Sequence, residues 1–245
     1  PRNGDFVPNL IKQNIKRDLK RYAVAGIVPE ILDLKYLFIE TNSKVYYNTN
    51  LAPSASFVST KVQRDLTAYA ESSELNKYGA RFKYSRFLKV IDSSHESVTS
   101  NITTVEMRRD LRLAISEVAE YAIDFGNEFH IQSMNGFNIR SSAFRVLNIN
   151  TDVYLYDTPD STGEKGQISL FSLDEGSSTP VIQRRNIGVI DYKKGRITLD
   201  PINIVSGKTK DNVDILEISA TPESNDIIGL QDLYLQLDSS FVDMV

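Results

Sequence analysis

Hydrophobic residues recur along this chain with two periods, first helical and later alternating, and the change between them organises the sequence. In residues 8 to 22, Ile11, Ile15, Leu19 and Tyr22 share one helical face while Lys12, Lys16 and Lys20 repeat on a neighbouring face. This spacing predicts an amphipathic helix, with Pro8 near its start where a missing N–H does no harm, and with Gly26 turning the chain away. Residues 30 to 48 are rich in branched and aromatic types around Glu40, Thr41, Asn42 and Ser43. They predict two strands joined as a hairpin, with that polar group as the turn. After Pro53 and Ser54, the residues Val58, Val62, Leu66 and Tyr69 fall at i, i+4, i+8 and i+11, which predicts a helix with one buried stripe ending before Gly79. Ser85 is placed to cap a short helix holding Phe87, Leu88 and Ile91, and residues 97 to 107, dense in Val, Ile and Thr, return to strand composition.

Beyond this point the pattern changes. Ala114, Ile115, Val118, Ala119 and Ala122 suit a helix, whereas Tyr121, Ile123 and Phe125 alternate as in a strand, so that segment stays open. From about residue 125, short apolar runs divided by Gly, Asn, Asp, Ser and Pro predict strands at 128–132, 138–149, 152–156, 167–173, 187–192, 196–199 and 213–220. The runs 187–192 and 196–199, joined through Lys193, Lys194 and Gly195, form a hairpin whose turn uses glycine for positive φ. No repeat of solenoid length is visible. The predicted fold class is α+β: an amphipathic helix and linker over 1–23, an α/β unit with helices and a hairpin over 24–110, and a mainly antiparallel β-rich domain over 111–245.

With 245 residues, 41% of them hydrophobic, the chain can bury a sizeable core. Lys and Arg number 28 against 32 Asp and Glu, so a net charge of −4 gives no electrostatic reason to expect nucleic acid as a partner. The apolar stretches fall short of the roughly 20 residues a membrane span needs, so no membrane partner is expected either. There is no cysteine, which removes disulfides, zinc-thiolate sites and thiol nucleophiles. Opening on Pro1 with a charged segment, the chain reads as a fragment of a longer polypeptide.

Candidate chemistry is sparse. His95 sits in the polar run Asp92-Ser93-Ser94-His95-Glu96, and His130 lies between Phe129 and Ile131. A hydrolytic triad of His95, Ser94 and Asp92 would need three neighbours on one loop to converge, and no Gly-x-Ser-x-Gly elbow accompanies them. The run from Asp157 to Glu164 gathers three carboxylates with Gly163, but it lacks the alternating acids of a calcium loop and uses what a hairpin turn uses. The doublets Arg108-Arg109, Arg184-Arg185 and Lys193-Lys194, like the basic stripe of the first helix, read as solvated or interface charges. No catalytic residue, cofactor or metal site is therefore expected. Two rival functions remain. One is a β-rich module recognising a glycan or receptor through loops such as 157–166; the other is a hydrolase working through His95 or His130.

Three stretches carry a resemblance: Phe6-Val7-Pro8-Asn9-Leu10, the segment from Tyr36 to Asn48, and Leu75 to Ser85 with Gly79 at its turn. Together they resemble baseplate J-like proteins, and the chain as a whole is similar to the C-terminal part of the large baseplate wedge subunit of contractile-tailed bacteriophages. The resemblance implies a non-enzymatic structural subunit located in the virion, at the tail baseplate. It implies pairing with a second copy (a homodimer, and a higher ring around the tail tube) and with other wedge subunits. Tyr154, Tyr156, Phe171 and Tyr192 are the candidate interface residues, because Tyr and Phe are enriched where proteins meet.

Overall fold

The structure is a computed structural model, and it describes residues 9–24, 27, 28, 31, 35–75, 77–174, 176, 179–230 and 233–245. The expected roles of Pro8 and Gly26 lie outside these residues. In chain order the elements are α1 (Asn9–Lys20), β1 (Lys35–Tyr47), α2 (Ala55–Ala70), β2 (Arg81–Phe82), α3 (Tyr84–Asp92), β3 (Val98–Arg112), β4 (Val118–Asp124), β5 (Ile139–Ser141), β6 (Arg145–Val146) and β7 (Tyr154–Pro159). They continue with β8 (Lys165–Leu173), β9 (Pro180–Asp191), β10 (Arg196–Ser206), β11 (Lys208–Lys210), β12 (Val213–Ala220), β13 (Ile227–Ile228) and β14 (Leu233–Met244). Strands dominate, as the later half of the sequence led us to expect.

Two six-stranded sheets carry the fold. In the first, β11, β12, β3, β1 and β14 lie side by side with β5 also on β12; in the second the order is β4, β10, β9, β8, β7 with β6 on β10. The pairings are antiparallel except β1 with β14, which is parallel and makes the first sheet mixed. β3 runs across residue 110 and pairs with β1 on one side and β12 on the other, so strands from both parts of the sequence share this sheet. A single hydrophobic cluster extends through both sheets. α2 buries Val58, Val62, Leu66 and Tyr69, the stripe read from the sequence, and α3 adds Phe87 and Ile91. α1 forms where expected, but Ile11, Ile15, Leu19 and Tyr22 stay exposed.

Several local expectations are corrected. The predicted hairpin over 30–48 is instead one continuous strand, β1, where it is described. Its polar group makes no turn because the alternation splits it between faces: Thr41 and Ser43 are buried under the helices, while Asn42 is exposed on the other face beside Glu40. The Ser43 hydroxyl meets that of Thr103 at 2.8 Å, so the buried side chain is hydrogen-bonded across strands. Ser85 does not cap α3. The N-cap position is Lys83, which makes no side-chain cap bond, and the Tyr84 N–H donates instead to Asp226 Oδ1 at 2.8 Å, a partner 142 residues away. The strand expected at 128–132 reduces to one bridge, Phe129 to Pro222, and 138–149 breaks into the short β5 and β6. The open segment after 111 resolves as strand on both sides of a turn, with Ser116 at φ 62° between β3 and β4. The expected hairpin of β9 and β10 is present, with Gly195 at φ 62°.

Candidate functional site

The residues that looked chemically interesting are brought into three places. The first centres on Asp157. It was expected in a loop, but lies in β7 with no exposed surface. Its Oδ1 accepts from the Asn138 N–H at 2.7 Å and the Ile139 N–H at 3.0 Å; Oδ2 accepts from the Tyr192 hydroxyl at 2.6 Å and Asn138 Nδ2 at 2.7 Å. A carboxylate can be buried here because four donors replace its water. Burial, reinforced by the bond to Asp157, pushes the Tyr192 hydroxyl well above the ordinary tyrosine range. The segment before β5 reaches this carboxylate only because Gly136 sits at φ 97°, where a Cβ would come within 2.0 Å of the Asp157 carbonyl oxygen. The rest of the run forms the expected turn, with Asp160 Oδ1 accepting from the N–H groups of Thr162 and Gly163. The hydrogen bond from Thr162, ahead of the other causes, holds the Asp160 carboxyl below its usual value.

The histidines stand apart from it. His95 Nδ1 lies 2.8 Å from Ser97 Oγ and its ring packs edge-on against Phe57, whereas the Ser94 hydroxyl donates to the Ile91 carbonyl and Asp92 accepts from Asn101. The three members of the conceivable triad thus engage three different partners. His130 pairs with Glu223 at 2.7 Å on the surface. Among the described residues no cluster of three or more His, Asp or Glu could hold a metal ion.

The second place is an aromatic patch. Phe137 stacks on Tyr156 with centroids 5.0 Å apart, and Phe171 packs edge-on to both while leaning against Tyr154. Three of the four candidate interface residues therefore meet, and the fourth, Tyr192, is buried at the Asp157 carboxylate. Within the patch Tyr156 is covered and Tyr154 and Phe171 are half-buried, while Phe137, which the sequence reading missed, is 50% exposed. Its position beside Gly136 was the available signal. Leu173, Val181 and Ile182 extend exposed apolar surface along the ribbon of β8 and β9. The same open face of the second sheet forms a concavity of about 590 Å³ lined by residues including Thr158, Gln167, Arg185 and Thr198.

The third place is a charged cluster on the face of the first sheet away from the helices. Arg108 is only 12% exposed and pairs with Glu40, with Asp110 at 2.9 Å and with Asp238 at 2.7 Å, its guanidinium lying over Phe38 at 4.5 Å. Lys210 joins from β11, 3.0 Å from Asp110. Burial works to lower the Arg108 pKa, and Asp110 and Asp238 outweigh it and hold the group above its ordinary range. Its sequence neighbour Arg109 points the other way, donating to the Asp124 carbonyl at 2.6 Å. The first arginine doublet is thus a structural element, and Lys193 of another doublet forms an exposed pair with Glu164.

These surfaces can be set beside known proteins. Residues 35–110, which form β1, α2, β2, α3 and most of β3, match the family model of baseplate structural protein gp6, C-terminal domain III. The baseplate wedge protein gp6 of Enterobacteria phage T4 is 29% identical over 163 residues, covering 64% of this chain and 24% of that protein. The chain therefore spans about a quarter of the length of the curated relative it matches. By its central strands and the helices that cover them, this chain is similar to a structural protein of the baseplate wedge.

Proposed function

We propose that this chain is a structural, non-enzymatic subunit of the baseplate wedge of a contractile phage tail, of baseplate J-like type. It resides in the virion and associates with copies of itself and with neighbouring wedge subunits in a ring around the tail tube. The observation that carries this reading is the match over residues 35–110, which falls on the strands and helices at the middle of the first sheet. Exposed apolar positions support it: Ile11, Ile15 and Leu19 on α1, and Phe137, Val181 and Ile182 around the aromatic patch. Tyr154 and Phe171, beneath Phe137, contribute to the contact with a neighbouring wedge subunit, and no cofactor, nucleic acid or membrane takes part. Sedimentation velocity at several concentrations, followed by mixing with the neighbouring wedge subunits, tests the reading. A concentration-dependent dimer or larger species that takes up those subunits is expected; a chain that stays monomeric and captures none of them would overturn it.

The concavity on the second sheet, bordered by the aromatic patch and the 160–164 turn, favours a second reading as a glycan-recognising module. Saturable binding on a glycan array without self-association would replace the first reading with this one.

A further inference from the structure

The first sheet ends on β14, and among the described residues no strand pairs with its other edge. Among the described residues, only Tyr234, near its start, makes a bridge there, to Tyr78. An open edge presents a row of unpaired main-chain donors and acceptors, a template for another strand, and natural edges are usually blunted by charges, lysine above all, by proline, by bulges or by short length. β14 has twelve residues with neither lysine nor proline. Beside the edge, Phe241 is 63% exposed and Tyr78 58% exposed.

We propose that this edge takes the same strand of a second copy in antiparallel alignment, about a two-fold axis passing between residues 238 and 239. The proposal rests on the self-association reading above and names the surface that performs it. Three features select the register. Against β1, the partner of Ile39 is Leu237 and the partner of Thr41 is Ser240, so two residues of β14, 238 and 239, stand opposite one of β1. This irregularity reverses the alternation of faces: Leu235 and Leu237 share the helix-covered face with Val242 and Met244, while Gln236 shares the opposite face with Phe241. A strand carrying such a reversal pairs with its own image, faces matched throughout, when the irregular residues of the two copies lie opposite each other at the centre. Leu235 then meets Val242 of the second copy, and Gln236 meets Phe241. In this alignment no carboxylate lies directly opposite another, because Asp238 falls against Ser239 and Asp243 against Tyr234. A two-fold contact of this kind is self-complementary by construction, and main-chain pairing supplies its affinity as in other strand additions.

The chain has no cysteine, so engineered cysteines report this contact cleanly. Paired residues on neighbouring antiparallel strands have Cα atoms about 4.5–5.5 Å apart, within disulfide reach. Gln236→Cys and Phe241→Cys are prepared separately and oxidised alone and mixed, with Lys194→Cys, in the exposed turn between β9 and β10, as a control. The mixture should yield a cross-linked dimer in high proportion, and neither variant alone nor either mixed with the control should do so. Hydrogen exchange of the unmodified chain, concentrated and dilute, should show slowing confined to amides in 235–244, which keeps the test independent of how well the variants fold. A dimer in sedimentation without this cross-link and protection would place self-association elsewhere and overturn this inference while the proposed function stands. Absence of any dimer would overturn this inference, and the proposed function falls with it when the chain also captures no neighbouring wedge subunit.

Discussion

The two sheets solve the problem of burying polar groups differently. The first sheet draws its strands from across the chain, with β1 parallel to β14 nearly two hundred residues later, and gathers the Arg108 charge cluster on the face away from the helices. There Arg108 holds Glu40 and Asp238 at the margin of solvent, with Asp110 buried beside it. The second sheet is built mainly from strands consecutive in sequence, β7 to β8 to β9 to β10. It places its key carboxylate, Asp157, inside. A partly wet cluster tolerates loss of one member because water can replace it; a dry site has no such substitute. The contrast is between a charge network that trims a surface and a carboxylate that locks a core.

Removing the dry site should have the largest effect. Asp157→Ala leaves the Tyr192 hydroxyl, two backbone N–H groups and the Asn138 amide without their acceptor, and each unsatisfied buried group costs roughly 1–3 kcal/mol. A loss of about 3–5 kcal/mol is expected in urea or thermal unfolding, limited by partial relaxation. For scale, Phe87→Ala under the first sheet should cost about 3–5 kcal/mol through the cavity it leaves. Arg108→Ala should cost less, about 2–3 kcal/mol, because Glu40 and Asp238 stay partly solvated and Lys210 still neutralises Asp110. An equal loss at Arg108 and Asp157 would erase the contrast.

Smaller effects appear at the two extremes of pH, both at the second sheet. Tyr192 is raised above the ordinary value of about 10 when folded, so the unfolded chain gives up its proton first. Its contribution is fully present below about pH 10 and declines as pH rises through the interval above it. Tyr192→Phe should therefore flatten alkaline destabilisation without removing it, since burial raises Tyr69 in the same direction. At the other end Asp124 is lowered, chiefly by its hydrogen bond from Arg196, against an opposing effect of burial. Its contribution is present above about pH 4 and is lost as pH falls through the lowered folded value. Asp124→Asn should make the acid limb of a stability–pH curve shallower. Lys193→Ala, breaking only the exposed pair with Glu164, should leave the unfolding midpoint unchanged.

The legible parts of this molecule were those decided by near neighbours. The stripe of α2 needed only its own periodicity, and the β9–β10 hairpin needed only alternating residues and a glycine at the turn. Where residue type and environment disagree, the reading failed. Glu40, Thr41, Asn42 and Ser43 have the composition of a turn, yet strands on both sides hold them extended. β14 went unrecognised because its polar centre, Asp238-Ser239-Ser240, interrupts the alternation at the point where its pairing with β1 shifts. Of the candidate interface residues, Tyr154, Tyr156 and Phe171 come together across the pairing of β7 with β8, a contact that residue type alone did not announce. Tyr192 could not be separated from them by sequence, since an aromatic ring fits equally well at a surface or over a buried carboxylate.

The amino-acid order by itself determined the helical stripes, the local hairpins and the lack of cysteine chemistry, because each depends on residues within a few positions or on composition alone. Only the tertiary structure decided that Asp157 is dry, that Asp226 rather than Ser85 serves the start of α3, and that the last strand lies parallel to the first. Those outcomes turn on contacts between groups many residues apart, and a polar side chain carries no local mark of whether its partner will be water or another part of the chain.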